Sequence, residues 1–154
     1  MGSYEVVRTT TVAAEPARVH ALIDDFHAWR EWSPWEDADP DLARTYSGPD
    51  KGVGAHYAWS GNRKAGQGSM EITGSTPERV DVELIFMKPF SATNAVTFEL
   101  TPDGSGGTAV EWRMRGEQKG FWGFVGRFMN MDKLVGGDFE KGLARLKVAA
   151  ESSG

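Results

Sequence analysis

Apolar and polar residues alternate over three segments in the middle of the chain, and this pattern predicts three strands. Within residues 79–86, 95–100 and 110–115 every second side chain is apolar. A strand with one apolar and one polar face is typical of an antiparallel sheet that is wetted on one side. Shorter runs rich in Val, Thr and aromatic residues predict further strands. These runs cover residues 4–13, 42–47, 55–60 and 66–73.

Helical spacing of apolar residues appears in two other regions. Pro16 suits the first turn of a short helix because its φ is already fixed, and an apolar stripe follows it through Phe26. A second short helix is expected over residues 27–32. The longest helix is expected over residues 131–150, where one face is apolar and the other is charged. An antiparallel sheet with one apolar face needs a cover, and this helix has the right length for one.

The predicted order is therefore one strand, two short helices, about six more strands and a long C-terminal helix. We expect an α+β fold in which a curved antiparallel sheet of six to seven strands wraps around that helix. The length of 154 residues suits a single domain. We assign residues 1–150 to this domain and residues 151–154 to a flexible tail.

Composition and charge narrow the classes of function. The formal net charge is −5, which disfavours binding to nucleic acid because phosphate backbones repel an acidic protein. There is no cysteine, so disulfides and thiolate chemistry are excluded. No signal peptide or membrane-spanning stretch is recognised. We expect a cytoplasmic protein without membrane insertion, either a monomer or a weak dimer.

Several local segments carry a resemblance to a known family. They are residues 52–55, 57, 59–61, 88–90, 97–98, 108–114, 128–133 and 136–143. Together with the order of elements, they resemble bacterial members of the START-like (SRPBCC) superfamily, which includes polyketide cyclase/dehydrase and lipid-transport proteins. That resemblance covers nearly the whole chain and implies the helix-grip fold. It does not specify a reaction, because one fold hosts many functions.

The resemblance implies an apolar cavity between the concave face of the sheet and the long helix. Apolar pockets with a few placed polar groups are typical ligand sites. The competing interpretation is that these side chains only fill a core. The predicted ligand-binding residues are Trp32, Trp35, Tyr57, Trp59, Met70, Leu84, Phe86, Asn94, Val96, Phe98, Trp112, Met114, Phe124, Phe128, Phe139 and Leu143.

Three functions are compatible with this pattern. The preferred hypothesis is binding, transport or sequestration of a small hydrophobic molecule such as a lipid or polyketide-like compound. An enzyme resembling polyketide cyclases would need an acid or base in the pocket. Tyr57 is the one weak catalytic candidate, with Asn94 and Trp59 as polarising donors. A regulatory interaction module is the third hypothesis, with residues 121–128 as its apolar patch.

No motif indicates a metal or a cofactor. The three histidines are widely separated in sequence and lack the spacing of a zinc motif, and we expect His56 on the outer face. Glu71 and Glu83 also fall on the outward phase. Gly136 and Gly137 interrupt the long helix, where each glycine costs about 1 kcal/mol relative to alanine. They indicate either a close approach or kink of the helix, or a helix that begins after them.

Overall fold

In the part of the chain that the structure describes, seven strands and two α-helices follow one another in the predicted order. The structure, a computed structural model, describes residues 2–34, 41–62, 66–88, 92–118 and 131–152. Its elements are β1 (Gly2–Val12), α1 (Pro16–Ile23), one 3₁₀ turn (Ala28–Glu31), β2 (Ala43–Ser47), β3 (His56–Ser60), β4 (Gln67–Thr76), β5 (Arg79–Lys88), β6 (Ala92–Pro102), β7 (Thr108–Gln118) and α2 (Met131–Ser152).

All seven strands form one antiparallel sheet in the order β1-β7-β6-β5-β4-β3-β2. Strands β2 to β7 pair consecutively, and β1 closes the order by pairing with β7. Helix α2 lies against β1, and α1 lies against β5 and β6. The helix-grip α+β fold expected from the sequence is confirmed.

The predicted alternation separates an inner from an outer face. On β6, Val96 and Phe98 are buried while Ala95 and Glu99 are exposed. Partners in register lie side by side, so each inner position belongs to a row that crosses the sheet. One such row consists of Tyr46, Tyr57, Met70, Leu84, Asn94, Gly116 and Tyr4. This row brings together residues from all seven strands.

The 3₁₀ turn is fixed to the end of α1 by two tryptophans. The indole N–H of Trp29 donates to the carbonyl of Ile23, and that of Trp32 donates to the carbonyl of Leu22, both at 2.8 Å. Carbonyls in the last turn of a helix have no partner within the helix. The two indoles satisfy them while burying their rings in the core.

Helix α2 runs through both glycines, so the interpretation that it begins after them is wrong. A Cβ at Gly136 would collide with the guanidinium of Arg8, whereas a Cβ at Gly137 would meet nothing within 4 Å. Arg8 extends from β1 across the helix and its Nε donates to Glu140 at 2.7 Å. Close approach therefore accounts for Gly136 but not for Gly137.

The end of α2 extends two residues into the segment that was expected to be a tail. The Glu151 carboxylate accepts a hydrogen bond from the Ala13 backbone N–H at 2.8 Å and contacts Lys147 Nζ at 2.6 Å. These hydrogen bonds lower the pKa of Glu151, since they favour its charged form. They tie the last turn of the helix to the end of β1.

On the outer face, His56, Glu71 and Glu83 lie in one row, as the alternation predicted. Arg113 Nη1 contacts Glu5 at 2.6 Å and Arg113 Nη2 contacts Glu111 at 2.8 Å. Partly exposed ion pairs of this kind contribute about 1 kcal/mol or less. In the described strands, the outer face thus presents a solvated set of charges.

Candidate functional site

One end of the inner face is filled by stacked aromatic rings, and we call it the packed end. The Trp112 ring stacks on Phe139 of α2 with centroids 4.0 Å apart and planes 8° apart. Phe98 lies 4.9 Å and Trp32 lies 5.5 Å from Trp112. All four side chains are at most 2% exposed. Trp29 completes this group, with its ring 6.5 Å from that of Trp112.

A glycine brings α2 down onto the packed end. A Cβ at Gly142 would lie 2.9 Å from Cζ3 of Trp112 and 3.1 Å from Cδ of Pro34. Real Cβ atoms essentially never approach a heavy atom below 3.0 Å. The Trp112 ring cannot easily retreat because Phe139 stacks on it. The absence of a side chain at Gly142 is therefore what allows this packing.

The opposite end of the inner face is less covered, and we call it the open end. Its residues are Tyr4, Trp59, Leu84, Phe86, Asn94 and Gly116. Trp59, Leu84 and Phe86 are only half-buried although they lie on the inner face. The Trp59 and Phe86 rings meet edge to face at 6.2 Å. An apolar wall that retains exposure is what a ligand site for a hydrophobic molecule requires.

Gly68 makes room for the Trp59 indole in this wall. A Cβ at Gly68 would lie 2.8 Å from Cζ2 of Trp59. Gly68 is the register partner of Trp59 on one side and of Phe86 on the other. The indole therefore lies over the backbone of β4 and comes within edge-to-face distance of Phe86. Without that glycine the two rings of the open end would be forced apart.

A polar pair lies beside the apolar wall, with Asn94 buried and Tyr4 half-buried. The Tyr4 hydroxyl donates to Asn94 Oδ1, and Asn94 Nδ2 donates to the Leu84 carbonyl at 3.2 Å. Asn94 is 1% exposed. Gly116 lies on β7, between β1 with Tyr4 and β6 with Asn94. A Cβ at Gly116 would collide with Asn94 Oδ1 and the Tyr4 hydroxyl. The site thus combines apolar rings with one amide and one phenol.

The phenol of this pair remains neutral at physiological pH. Burial raises the pKa of Tyr4 above its ordinary value, because burial disfavours the charged phenolate. The hydrogen bond to Asn94 opposes that shift in part. An ordinary tyrosine has a pKa of about 10, so a raised pKa leaves the hydroxyl protonated and able to donate.

The predicted site residues divide between these two ends. Trp59, Leu84, Phe86 and Asn94 lie at the open end. Trp32, Phe98, Trp112, Phe139 and Leu143 lie in the buried core. Met70, Val96 and Met114 are also buried on inner positions. Trp35, Phe124 and Phe128, and with them the predicted patch at 121–128, lie outside the described residues.

Tyr57, the weak catalytic candidate, occupies a crowded position. It is 4% exposed, and its ring lies 5.2 Å from Tyr46 and 6.1 Å from Trp59. It belongs to the same row as Asn94 but is separated from it by β4 and β5. Its ring therefore packs between the rings of Tyr46 and Trp59, while the phenol next to Asn94 belongs to Tyr4.

Sequence reasoning missed Tyr4 and Gly116. Tyr4 was assigned to the first strand and Gly116 lay just beyond another, and neither was given a role. The alternation of inner and outer positions could have placed both residues on the inner face. Gly116 follows Trp112 and Met114 on the inner phase, and Tyr4 precedes Val6. A glycine that interrupts an apolar inner phase marks a position that another side chain occupies.

A concavity lies at the β2 edge of the sheet. It has a volume of about 230 Å³ and is lined by residues that include His27, Tyr46 and His56. The His27 ring stacks on Tyr46 at 4.0 Å, and its Nδ1 lies 2.9 Å from Asp25 Oδ1. In the described ranges, no three His, Asp or Glu side chains come together as a metal site requires.

Comparison with known proteins places the chain in a family. The model for the family described as "Polyketide cyclase / dehydrase and lipid transport" matches residues 3–151. The chain belongs to this family. Among curated proteins, none matches its sequence. Within the described part of the chain, no helix combines the length and the apolar character needed to cross a membrane.

Solved structures similar to this member of the polyketide cyclase/dehydrase and lipid transport family share its fold. A truncated norcoclaurine synthase from Thalictrum flavum has a TM-score of 0.74 at 10% identity, covering 96% of this chain and 93% of that one. A protein of unknown function from Staphylococcus aureus has a TM-score of 0.69 at 13% identity, covering 99% and 96%. A protein from Nitrosospira multiformis has a TM-score of 0.68 at 20% identity, covering 94% of each chain. At these identities the likeness shows the fold alone.

Proposed function

We propose that this protein binds a small hydrophobic molecule at the open end of its inner face. The observation that carries the proposal is the apolar wall of Trp59, Leu84 and Phe86, which is only half-buried. These side chains lie on the same face as a densely filled core, yet they remain accessible. Membership of a family described by lipid transport and polyketide chemistry agrees with a hydrophobic ligand.

The physical gain from binding is the removal of these rings from water. Burying apolar surface contributes about 25 cal/mol per Å². An aromatic side chain offers a large area at a low entropic cost, because it has only two rotatable bonds. The edge-to-face contact of Trp59 with Phe86 already fixes the wall before a ligand arrives. Little ordering is then required on binding, which preserves affinity.

The packed end supports the site without contacting the ligand in this proposal. Its aromatic rings bury one another, and Phe98 and Trp32 are both 0% exposed. They hold α2 and the 3₁₀ turn against the sheet, and so they fix the depth of the site. We therefore narrow the ligand contacts to Trp59, Leu84 and Phe86, which are the predicted residues that stay half-buried on the inner face.

A fluorescence titration with N-phenyl-1-naphthylamine, a neutral apolar probe, tests this function. We expect enhanced probe emission with saturable binding. Phe86→Ala removes one wall of the site and should weaken probe binding about tenfold, the equivalent of about 1.4 kcal/mol. Met87→Ala is the matched control, because Met87 is the next residue on β5 and is 46% exposed.

Two results would count against the proposal. One is the absence of saturable probe binding to the folded wild-type protein. The other is an equal affinity of Phe86→Ala and Met87→Ala, since alternation places these neighbours on opposite faces of β5. An unchanged Met87→Ala together with a weakened Phe86→Ala supports the inner face as the site.

A further inference from the structure

The concavity at the β2 edge of the sheet has a chemistry of its own. We propose that it is a binding site, distinct from the open end, for a small organic cation that has one flat ring and N–H donors, such as an arylamidinium. Its volume of about 230 Å³ is below the roughly 300–1,000 Å³ of sites for drug-sized ligands, so it suits a molecule with a single ring. The proposal does not depend on the open end, because Trp59, Leu84 and Phe86 do not line this concavity.

Part of the lining is apolar and aromatic. Phe26 and Ala55 line the concavity, and both are 2% exposed. The Tyr46 ring lines it as well and lies against the His27 ring at 4.0 Å, with planes 16° apart. Aromatic rings attract cations through the negative charge of their faces, and they stack on flat apolar groups. A positively charged ligand with one aromatic ring matches both properties.

The hydrogen bonds between His27 and Asp25 give this site an acceptor. Asp25 Oδ1 lies 2.9 Å from His27 Nδ1 and also accepts the backbone N–H of His27 at 2.8 Å. A carboxylate can only accept, so in the neutral imidazole Nδ1 carries the proton. Nε2 is then the acceptor that the ring offers to a ligand. The stack on Tyr46 fixes the plane of the ring and with it the direction of this acceptor.

The charges around the concavity favour a cation over an anion. Among the described residues that line it, Asp50 is a carboxylate and none is a lysine or an arginine. Asp25 adds a second carboxylate beside the lining, and Glu71 adds a third as the register partner of His56, which lines the concavity. Lys51 follows Asp50 in sequence but does not line the concavity. A group of carboxylates attracts cations, and an amidinium offers parallel N–H donors that match a carboxylate.

The loop that carries Asp50 is held in place by the fold. Gly48 has a φ of +75°, and a Cβ there would collide with the Gly54 carbonyl. The Gly54 N–H in turn donates to the Ile72 carbonyl of β4 at 2.9 Å. The loop is therefore tied to the sheet beside the concavity. Little ordering is required when a ligand binds, which preserves affinity.

Three probes of nearly the same shape test the preference for a cation. They are benzamidine, which is positively charged, benzamide, which is neutral, and benzoate, which is negatively charged. Each is titrated into protein that carries isotope-labelled histidine, and the imidazole resonances are followed by NMR at pH 8, where an ordinary histidine is neutral. Of the three histidines in the chain, His27 and His56 line the concavity, whereas His20 contacts Ser75.

We expect benzamidine to shift the resonances of His27 and His56 in a saturable way and to leave those of His20 unchanged. Benzamide should bind about tenfold more weakly than benzamidine, because it lacks the charge that strengthens a hydrogen bond to a carboxylate. Benzoate should give no saturable shift. The site is overturned if benzamidine gives no saturable shift at His27 and His56, or if benzamide or benzoate binds as tightly as benzamidine.

Two variants assign the preference to named side chains. Asp50→Asn removes the lining carboxylate and should weaken benzamidine binding about tenfold while benzamide binding is unchanged. His27→Phe keeps a ring against Tyr46 but removes Nε2, and should weaken benzamidine binding about threefold. Asp50 and His27 are both exposed, so these variants should fold. Glu99→Gln is the matched control, because it removes the same charge from an exposed position on β6, which β4 and β5 separate from β3.

The remaining outcomes separate this site from a general attraction and from the open end. Equal weakening of benzamidine by Asp50→Asn and Glu99→Gln would overturn the site, because only the overall charge would then matter. Displacement of N-phenyl-1-naphthylamine by benzamidine would place the cation at the open end and would also overturn it, while hydrophobic binding would stand. Benzamidine binding that leaves the bound naphthylamine in place supports two distinct sites.

Discussion

The two ends of the inner face are built from the same strands with the same alternation, yet they differ in how they are covered. At the packed end, Trp112 lies between Phe98 of the neighbouring strand and Phe139 of α2, and all three are at most 2% exposed. At the open end, Trp59 and Phe86 also form an aromatic contact but remain half-buried. An aromatic residue on the inner face is therefore not by itself evidence of a pocket.

The polar side chains of the two ends lead to a similar conclusion about buried hydrogen-bonding groups. The indoles of Trp29 and Trp32 are used within the fold, where they donate to carbonyls of α1. The Tyr4–Asn94 pair lies next to the half-buried wall, where the Tyr4 hydroxyl donates to Asn94 Oδ1 and Asn94 Nδ2 donates to the Leu84 carbonyl. At both ends these hydrogen bonds use the polar groups within the fold, so a polar side chain on the inner face is not by itself evidence of a ligand contact.

The largest expected effect is the loss of a ring from the packed end. Phe139→Ala should lower the free energy of unfolding by about 3–5 kcal/mol, because it removes a buried ring and leaves a cavity against Trp112. Urea unfolding followed by circular dichroism measures this change. A loss below about 1 kcal/mol would show that Phe139 is not part of a filled core.

Two glycines of α2 should respond in opposite directions to the same substitution. Gly142→Ala should destabilise the protein by about 1–3 kcal/mol, since the new methyl collides with the rigid Trp112 ring. Gly137→Ala meets nothing within 4 Å and should stabilise it by about 0.5–1 kcal/mol through helix propensity. Thermal unfolding of the two variants compares them directly. Equal shifts in Tm would contradict the close approach of α2 at the packed end.

A smaller effect on stability is expected from the open end. Phe86→Ala should cost about 1.5 kcal/mol or less in the free energy of unfolding, because the ring is only half-buried in the folded state. Urea unfolding of this variant beside Phe139→Ala sharpens the contrast between the two ends. A loss as large as that of Phe139→Ala would mean that the open end is also a filled core.

The smallest effect concerns pH. The pKa of Tyr4 is raised in the fold, so its contribution to stability is complete below the unfolded pKa of about 10 and is lost as the pH rises from there toward the folded pKa. Between pH 9 and 11, wild type should lose stability more steeply than Tyr4→Phe. Urea unfolding of both proteins across this range measures the slopes. Parallel slopes would contradict a buried phenol at this position.

The sequence was sufficient to predict the order of elements and the inner phase of the strands. Both follow from local spacing: period two placed Val96, Phe98 and Trp112 inside, and helical spacing placed Phe139 on the buried stripe. The helix-grip fold could therefore be predicted without knowing any long-range contact.

The division into two ends could not be predicted in the same way. Tyr4 and Asn94 are 90 positions apart, and their meeting depends on the register of β1, β7 and β6 together. Whether Trp59 or Trp112 is fully buried depends on what α2 and the 3₁₀ turn cover. The glycines at 136 and 142 look alike in sequence, but one faces Arg8 and the other faces Trp112.

The most direct test of the account is methyl NMR of protein labelled at leucine, titrated with N-phenyl-1-naphthylamine. Leu84 lies at the open end, while Leu143 and Leu146 lie in the packed core at 2% and 0% exposure. We predict intermolecular NOEs from the probe to the Leu84 methyls, with the methyls of Leu143 and Leu146 unaffected. NOEs to Leu143 or Leu146 with an unperturbed Leu84 would contradict the assignment of the ligand site to the open end.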